Sequence, residues 1–289
     1  MMFWKEMIYV LEVKGLDFDY GGEPILRNIS FSASRGRIIS LIGPNGSGKS
    51  TLLRCLCGLL PVSNRGVRIM GRALEEYSSR ELSRLIAFLP QAQDKVPSMS
   101  VYELVGMGRS PYHRSGWFFS EEDRQKMSWA LEYMSLMEIA DRSVEELSGG
   151  ERQRAWIAMI LAQDTSIVLL DEPVTYMDLK FQWELLAVLR DLRDSFGKTV
   201  VSVFHDINHA LEISDFIYLL KDGRIHSAGR LEQVINERSI REVFGVGTHV
   251  CRFKKCRRPV VVPFGDLRCP GRISECCPGV ENSPVSQSY

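Results

Sequence analysis

Residues 43–50 read Gly-Pro-Asn-Gly-Ser-Gly-Lys-Ser and fit the pattern G-x-x-x-x-G-K-[ST]; nothing else in the chain restricts the fold as severely. The pattern requires a strand before it and a helix after it. Both are legible. Residues 37–42 are an apolar run with strand character, and residues 50–57 read as a helix stopped by Gly58. The glycines let backbone N–H groups turn inward around an anion, and the helix N-terminus adds its positive dipole end. Lys49 supplies a point charge for the β and γ phosphates, and Ser50 a hydroxyl for Mg²⁺. The competing reading is a chance match in a glycine-rich turn; the flanking strand and helix count against it.

A second segment complements the first. Ile167, Val168, Leu169 and Leu170 are followed by Asp171 and Glu172. Four apolar residues and then two carboxylates describe a buried strand delivering acids at its C-terminal edge, where ligands bind in open α/β sheets. Asp171 is placed to hold Mg²⁺ through water, and Glu172 to orient and deprotonate an attacking water. Alone, such a strand end is weak; paired with a phosphate loop it is strong.

Around these segments the pattern predicts an α/β fold. Ile8 to Leu41 is strand-like, with breaks at Gly21–Gly22 and Arg35–Gly36, and forms an N-terminal β region taken as antiparallel. Short strands are expected at 67–71, 86–90 and 199–203, and a hairpin at 216–225. Residues 92–166 carry helical spacing over 99–107 and 121–139, with Ser120 as a cap, and read as an inserted helical subdomain. Leu185, Leu186, Leu189 and Leu192 stripe a helix expected over 179–195. The core domain is set at 7–265. Residues 266–289 are rich in Pro, Ser and Cys and are expected to have little fixed structure.

Thirty-six basic and 36 acidic residues cancel in this 289-residue chain, which removes the simplest electrostatic case for nucleic-acid binding. No apolar run approaches the roughly 18 residues of a membrane span. Met1 to Met7 lack a basic start followed by an apolar stretch, so no secretion signal is expected, and the chain should stay in the cytosol. If it works at a membrane, another chain holds it there. Cys55 and Cys57 fall in an apolar helical run. Cys251, Cys256, Cys269, Cys276 and Cys277 crowd toward the C-terminus, as reduced thiols on a loose tail or as a metal- or redox-sensing group beside Lys254, Lys255, Arg257 and Arg258.

Leu147-Ser148-Gly149-Gly150-Glu151-Arg152-Gln153 carries the most specific information. Ser148 can be read simply as an N-cap for the helix that follows. Two adjacent glycines at a helix start are nonetheless expensive in backbone entropy unless something must approach the backbone closely. With the phosphate loop, this segment resembles the signature motif of ATP-binding subunits of ABC transporters, and the resemblance runs from about Ile8 to Phe264.

That resemblance implies an ABC-type phosphate-loop NTPase that hydrolyses ATP with Mg²⁺. It implies a head-to-tail homodimer in which each ATP lies between the phosphate loop of one subunit and Ser148, Gly149, Gly150 and Gln153 of the other. ATP contacts are implied at Gly43, Asn45, Gly46, Ser47, Gly48, Lys49, Ser50 and Thr51. Tyr20 resembles the aromatic that stacks on adenine, although a surface turn aromatic is the plain alternative. Gln91 resembles the Mg²⁺-sensing glutamine, or simply ends a strand. Asp178 resembles the aspartate of the loop crossing the dimer interface. His205 resembles the switch histidine near the γ-phosphate, or forms a helix-capping pair with Asp206. Mg²⁺ would fall to Ser50, Gln91 and Asp171, and catalysis to Glu172 and His205. Val174 departs from the threonine usual in the family.

Importer-type partners follow from the resemblance: two membrane permease subunits, and indirectly an external substrate-binding protein, with this chain peripheral on the cytoplasmic side of the cell membrane. Residues 101–116, with Tyr102, Met107, Tyr112 and Trp117 as apolar anchors, would receive the permease, although Met107 fits a core role as well. Ser148 to Asp164 and Phe204 to Ala210 are similar to the iron–siderophore, haem and cobalamin importer group. Residues 154–159 and 261–263 are most similar to its ferric-siderophore branch. Rival readings are a cobalamin or haem importer, a soluble ABC ATPase outside transport, and a nucleotide sensor without hydrolysis.

Overall fold

The computed structural model describes residues 9–62, 66–91, 98–113, 118–174, 177–253, 258–264 and 280–281. Strands β1 (Tyr9–Phe18) and β2 (Leu26–Ser34) form an antiparallel hairpin, and β1 pairs on its other side with β4 (Val67–Ile69), which pairs with β5 (Arg72–Ala73). Between these come β3 (Ile38–Ile42) and α1 (Lys49–Leu56); α2 (Ser79–Ser83) and β6 (Ile86–Leu89) follow. The N-terminal region is therefore antiparallel, as its sequence predicts.

Helices α3 (Val101–Met107), α4 (Glu121–Tyr133) and α5 (Gly149–Gln163) occupy the described part of the expected insertion, joined by short 3₁₀ turns. Ser100, Ser120 and Ser148 each cap the next helix through a reciprocal capping box with the acid three positions on. The chain then alternates β7 (Ile167–Asp171), α6 (Leu179–Asp194), β8 (Thr199–Val203), α7 (Ile207–Ile213), β9 (Phe216–Lys221) and β10 (Arg224–Gly229).

The main sheet has the order β10-β9-β3-β8-β7-β6, parallel except for the antiparallel edge strand β10. Every residue of β3, β7 and β8 is buried, and alternate residues feed two separate cores. Val168, Leu170 and Val200 join α3–α7 on one face. Ile167, Leu169 and Val201 join α1 and the N-terminal sheet on the other. Burial on both faces is why these strands show no polar alternation. Each such side chain contributes about 1.5–3 kcal/mol of transfer free energy.

Residues 231–264, for which the sequence pattern predicts no elements, form α8 (Leu231–Val234), α9 (Glu237–Phe244), β11 (Gly247–Phe253) and β12 (Val260–Phe264). The tail expected to lack fixed structure contributes one exception: β13 (Val280–Glu281) pairs with Arg252 and Phe253 of β11. The open edge of β11 supplies the unpaired backbone groups that make this possible. The N-terminal Met1–Met7 reading, Trp117, the four cysteines 256, 269, 276 and 277, and the basic residues 254, 255 and 257 lie outside the described residues. Among the described residues, no helix is long and apolar enough to cross a membrane.

Candidate active site

Sheet register assembles the site. β7 pairs with β8 so that Asp171 stands opposite Val203, and β6 with β7 so that Leu89 stands opposite Leu170. The residues just beyond those pairs must therefore meet, and they do. His205 Nε2 lies 2.6 Å from Glu172 Oε1, and Gln91 Nε2 donates to Glu172 Oε2 at 2.5 Å. Glu172 is buried and has φ 56°, a left-handed conformation that costs a residue with a Cβ about 1–3 kcal/mol. Strain of this kind persists only where surrounding structure holds it.

The phosphate loop leaves β3 at Gly43. A Cβ there would lie 2.2 Å from the Leu220 carbonyl oxygen and 2.9 Å from Ser47 Oγ, so only glycine fits. Gly48, at φ 97°, would collide with Leu26 and lies against Ile25. That contact brings the β1–β2 turn, which carries Tyr20, beside the loop. Tyr20 is 58% exposed, with its ring edge-on to Phe18 at 4.9 Å between centroids. The ring is thus available for stacking, and Phe18 steadies it.

Lys49 is buried, and its Nζ donates to the carbonyls of Gly43 and Pro44, both at 2.9 Å. Burial lowers its pKa; the charges of Glu172 and Asp171 oppose that fall. Ser50 Oγ donates to Asp171 Oδ1 at 2.9 Å. Burial and the neighbouring Glu172 charge raise the Asp171 carboxyl, and the Ser50 hydrogen bond only partly offsets them. Asp171 Oδ2 and Ser47 Oγ are buried with no protein partner among the described residues. An orphaned oxygen on the phosphate loop and another at the end of β7 are the mark of a site shaped for a polar occupant. Hard oxygens at Ser50 and Asp171 suit Mg²⁺. Among the described residues no three His, Cys, Asp or Glu side chains group as a metal cage, so an ion here would complete its shell with phosphate and water oxygens.

The signature segment stands apart. Ser148 Oγ accepts from the Glu151 N–H at 3.3 Å, while the Ser148 hydroxyl and backbone N–H donate to Glu151 Oε2 at 2.7 and 2.9 Å and lower the Glu151 pKa. The capping reading of Ser148 is therefore correct as far as it goes. A Cβ at Gly149 would meet nothing within 4 Å, so nothing among the described residues demands glycine there. A Cβ at Gly150 would lie 3.3 Å from the Phe181 ring. Gln153 Nε2 donates to the Pro173 carbonyl at 2.9 Å, tying α5 to the segment after Glu172. Among the described residues, no hydrogen bond joins Ser148, Gly149 or Gly150 to the phosphate loop. Asp178 is exposed and caps α6, accepting from the Phe181 N–H at 3.0 Å. Likewise Asp206 caps α7, as the alternative reading of the His205–Asp206 pair expects, while His205 turns to Glu172.

The expected row of apolar anchors is corrected by packing. Tyr102 turns inward against the core, with its ring edge-on to Phe119. The Tyr112 hydroxyl donates to the Gln163 carbonyl at 3.0 Å, and its ring lies under Arg109. Met107, 39% exposed, lines a groove of about 530 Å³ with Ser79, Arg80, Pro111, His113 and Met159. Arg80 builds one wall by donating to the carbonyls of Pro111 and His113. Sequence reasoning missed that arginine, whose carbonyl partners lie more than thirty positions on, and also the buried Arg109–Asp123 pair, 2.8 Å apart, because polar residues in an amphipathic insertion read as solvent-facing.

A phosphate loop, an acid-bearing strand edge and a histidine on the adjacent edge define a phosphate-loop nucleotide hydrolase. A family model described as ABC transporter matches residues 26–175, just over half of the chain. Iron(3+)-hydroxamate import ATP-binding protein FhuC of Bacillus subtilis (strain 168) is 37% identical, over 88% of this chain and 94% of its own length. Ferric enterobactin transport ATP-binding protein FepC of Escherichia coli (strain K12) is 35% identical, over 90% and 96%. A chain solved in an inward-facing conformation of an ABC transporter assigned to the metal-chelate type superposes with TM-score 0.77 at 29% identity, over 89% of this chain and 98% of that one. The cassette MJ0796, solved as a dimer, superposes with TM-score 0.68 at 30% identity, over 76% and 98%. This chain belongs to the ABC transporter family as an ATP-binding subunit, and it is an ATPase.

Proposed function

We propose that the protein energises import of an iron complex, most closely a ferric siderophore, from the cytoplasmic side of the cell membrane. The observation that supports this cargo is the similarity, over nearly the full length of both chains, to import proteins named for iron(3+)-hydroxamate and ferric enterobactin. Two copies would pack head to tail, consistent with the dimeric cassette to which the fold is similar. Each ATP would lie on Gly43, Asn45, Gly46, Ser47, Gly48, Lys49, Ser50 and Thr51 of one copy, with its adenine on Tyr20. Ser148, Gly149, Gly150 and Gln153 of the other copy would close over it. The open space at Gly149 supports that approach from outside the chain. Asp178, exposed at the start of α6, would stand at the contact between copies.

Ser50 and Asp171 would hold Mg²⁺, with Gln91 reporting on it through Glu172. Once bound, the ion would neutralise phosphate charge. Glu172 would take the proton of the attacking water, and His205 would hold Glu172 and face the γ-phosphate. The groove at Met107 and Arg80 would receive one of two permease subunits, and an external binding protein would deliver cargo to them.

The test is uptake. Disrupting the gene under iron starvation should cut entry of labelled ferric siderophore, and restoring it should recover entry. Normal iron uptake with lost cobalamin or haem uptake would move the cargo; loss of none of the three would sink this cargo assignment.

A further inference from the structure

Helix α7 begins two residues after His205 and is held at both ends by the C-terminal segment. The last carbonyls of a helix have no partner within it. Here three arginines take the carbonyls of Leu211, Glu212 and Ile213 and that of the cap residue Ser214. Arg258 Nη1 donates to Leu211 O at 2.7 Å and Ser214 O at 2.8 Å. Arg190 donates to Glu212 O at 3.2 Å and Arg193 to Ile213 O at 3.3 Å. These cations also stand at the negative end of the helix dipole. Arg190 and Arg193 come from α6, whereas Arg258 comes from the segment leading into β12.

At the other end Asn208 treats β12 as a neighbouring strand. Its Oδ1 accepts from the Val261 N–H at 2.8 Å and its Nδ2 donates to the Val261 carbonyl at 3.1 Å. A side-chain amide thus reproduces the two bonds a paired residue would make. Asp206 completes this end by accepting from the Asn208 N–H at 2.7 Å.

The His205 side chain is 43% exposed, so packing does not fix its ring. Its backbone is fixed on the strand side, where Phe204 is fully buried and its N–H reaches Leu41 O at 3.2 Å. On the other side the chain runs through the cap residue Asp206 directly into α7. We propose that Asn208 and Arg258 are positioning residues for hydrolysis: they hold the two ends of α7 so that the His205 imidazole stays on the Glu172 carboxylate. Residues 258–261 thereby act on the reaction without touching nucleotide. This inference rests on the roles given above to Glu172 and His205.

The experiment measures single-turnover ATP hydrolysis and ATP affinity in the full chain, with melting temperature alongside. Asn208→Ala and Arg258→Ala should each slow hydrolysis roughly 10- to 100-fold, with ATP affinity within about two-fold of wild type. Arg258→Lys, which keeps a donor for the carbonyls, should recover most of the rate. Combined with His205→Ala, neither alanine should cost a further loss, because no imidazole remains to be placed. Equal losses in the His205→Ala background would mean a fold-wide role and overturn the proposal, as would wild-type rates in the folded single variants. Should Arg258→Ala not fold, Asn208→Ala alone and combined with His205→Ala carries the same comparison. Wild-type hydrolysis by His205→Ala would sink the histidine's role itself. A loss in His205→Ala with none in Asn208→Ala or Arg258→Ala would sink only the positioning claim.

Discussion

His205 Nε2 stands 2.6 Å from Glu172 Oε1, and the two residues lie at the ends of neighbouring strands whose last pair is Asp171 opposite Val203. Gln91 reaches the other oxygen of the same carboxylate from the strand on the far side. Three parallel strand ends therefore converge on one acid, and that acid sits in a left-handed backbone conformation. A carboxylate held from both sides loses little orientation freedom when a ligand arrives, the kind of preorganisation that lowers a barrier.

Glu172→Gln should keep ATP binding and slow hydrolysis by at least about 100-fold, because an amide cannot take the water's proton. The shape of the side chain is kept, so Gln91 and His205 still have a partner. ATP-bound dimers should accumulate and be visible by size exclusion. A variant that hydrolyses ATP near the wild-type rate would remove Glu172 as the base.

Lys49→Ala should act on binding instead. Lys49 is buried against the carbonyls of Gly43 and Pro44; burial lowers its pKa, and the two carboxylates nearby oppose that fall. A triphosphate would add a direct anionic partner to the two neutral carbonyls that the ammonium already contacts. ATP affinity should fall about ten-fold or more, the worth of one charged hydrogen bond. Equilibrium titration with a fluorescent ATP analogue measures it; unchanged affinity would contradict the role.

Most of this site was legible before any fold was known, because it is built where short local rules apply. Gly43, Gly48 and Lys49 follow from one loop pattern, and Asp171 and Glu172 from an apolar run ending in acids. What could not be read depends on pairing between distant segments. Nothing near Asn208 or Arg258 signals that residues 258–261 bind α7, since the partners lie about fifty positions apart. Tyr102 and Tyr112 look like surface anchors in sequence because aromatic spacing on a short helix does not say which face meets the core. In 231–264, α8 and β12 are too short to show a period, whereas α9 does carry a helical stripe at Ile240 and Val243 that the sequence reading did not use.

Ser148→Arg should be lethal only across the contact between copies. The substitution puts a bulky cation at a helix start where Gly149 leaves open space. In a mixed dimer of one Ser148→Arg and one Lys49→Ala subunit, the two lesions can fall in the same composite site and leave the other intact. Part of the activity should then survive, whereas dimers with both lesions in each chain should show none. If every mixture behaves as two self-contained monomers, the head-to-tail arrangement is wrong.

Asp123 offers a prediction about stability and pH. Its carboxylate and the Arg109 guanidinium are buried together, 2.8 Å apart, and Arg109 also donates to the Ala162 carbonyl. Burial alone would raise the Asp123 pKa, but hydrogen bonds from Ser120 and Arg109, with the arginine's charge, outweigh it and leave the pKa lowered. A carboxyl whose folded pKa is depressed contributes stability above its unfolded value, about 4. That contribution is lost as pH falls through the lower folded value. Asp123→Asn leaves Arg109 charged and buried without its counter-ion, and should cost about 3–5 kcal/mol at neutral pH. The variant should also lose less stability than wild type on acidification, since it no longer has this carboxylate to protonate. Replacing both residues with apolar side chains of similar volume should cost far less than Asp123→Asn alone, because neither charge is then stranded. Urea unfolding at several pH values measures all three; a single Asp123→Asn loss below about 1 kcal/mol would show that water reaches the pair and screens it.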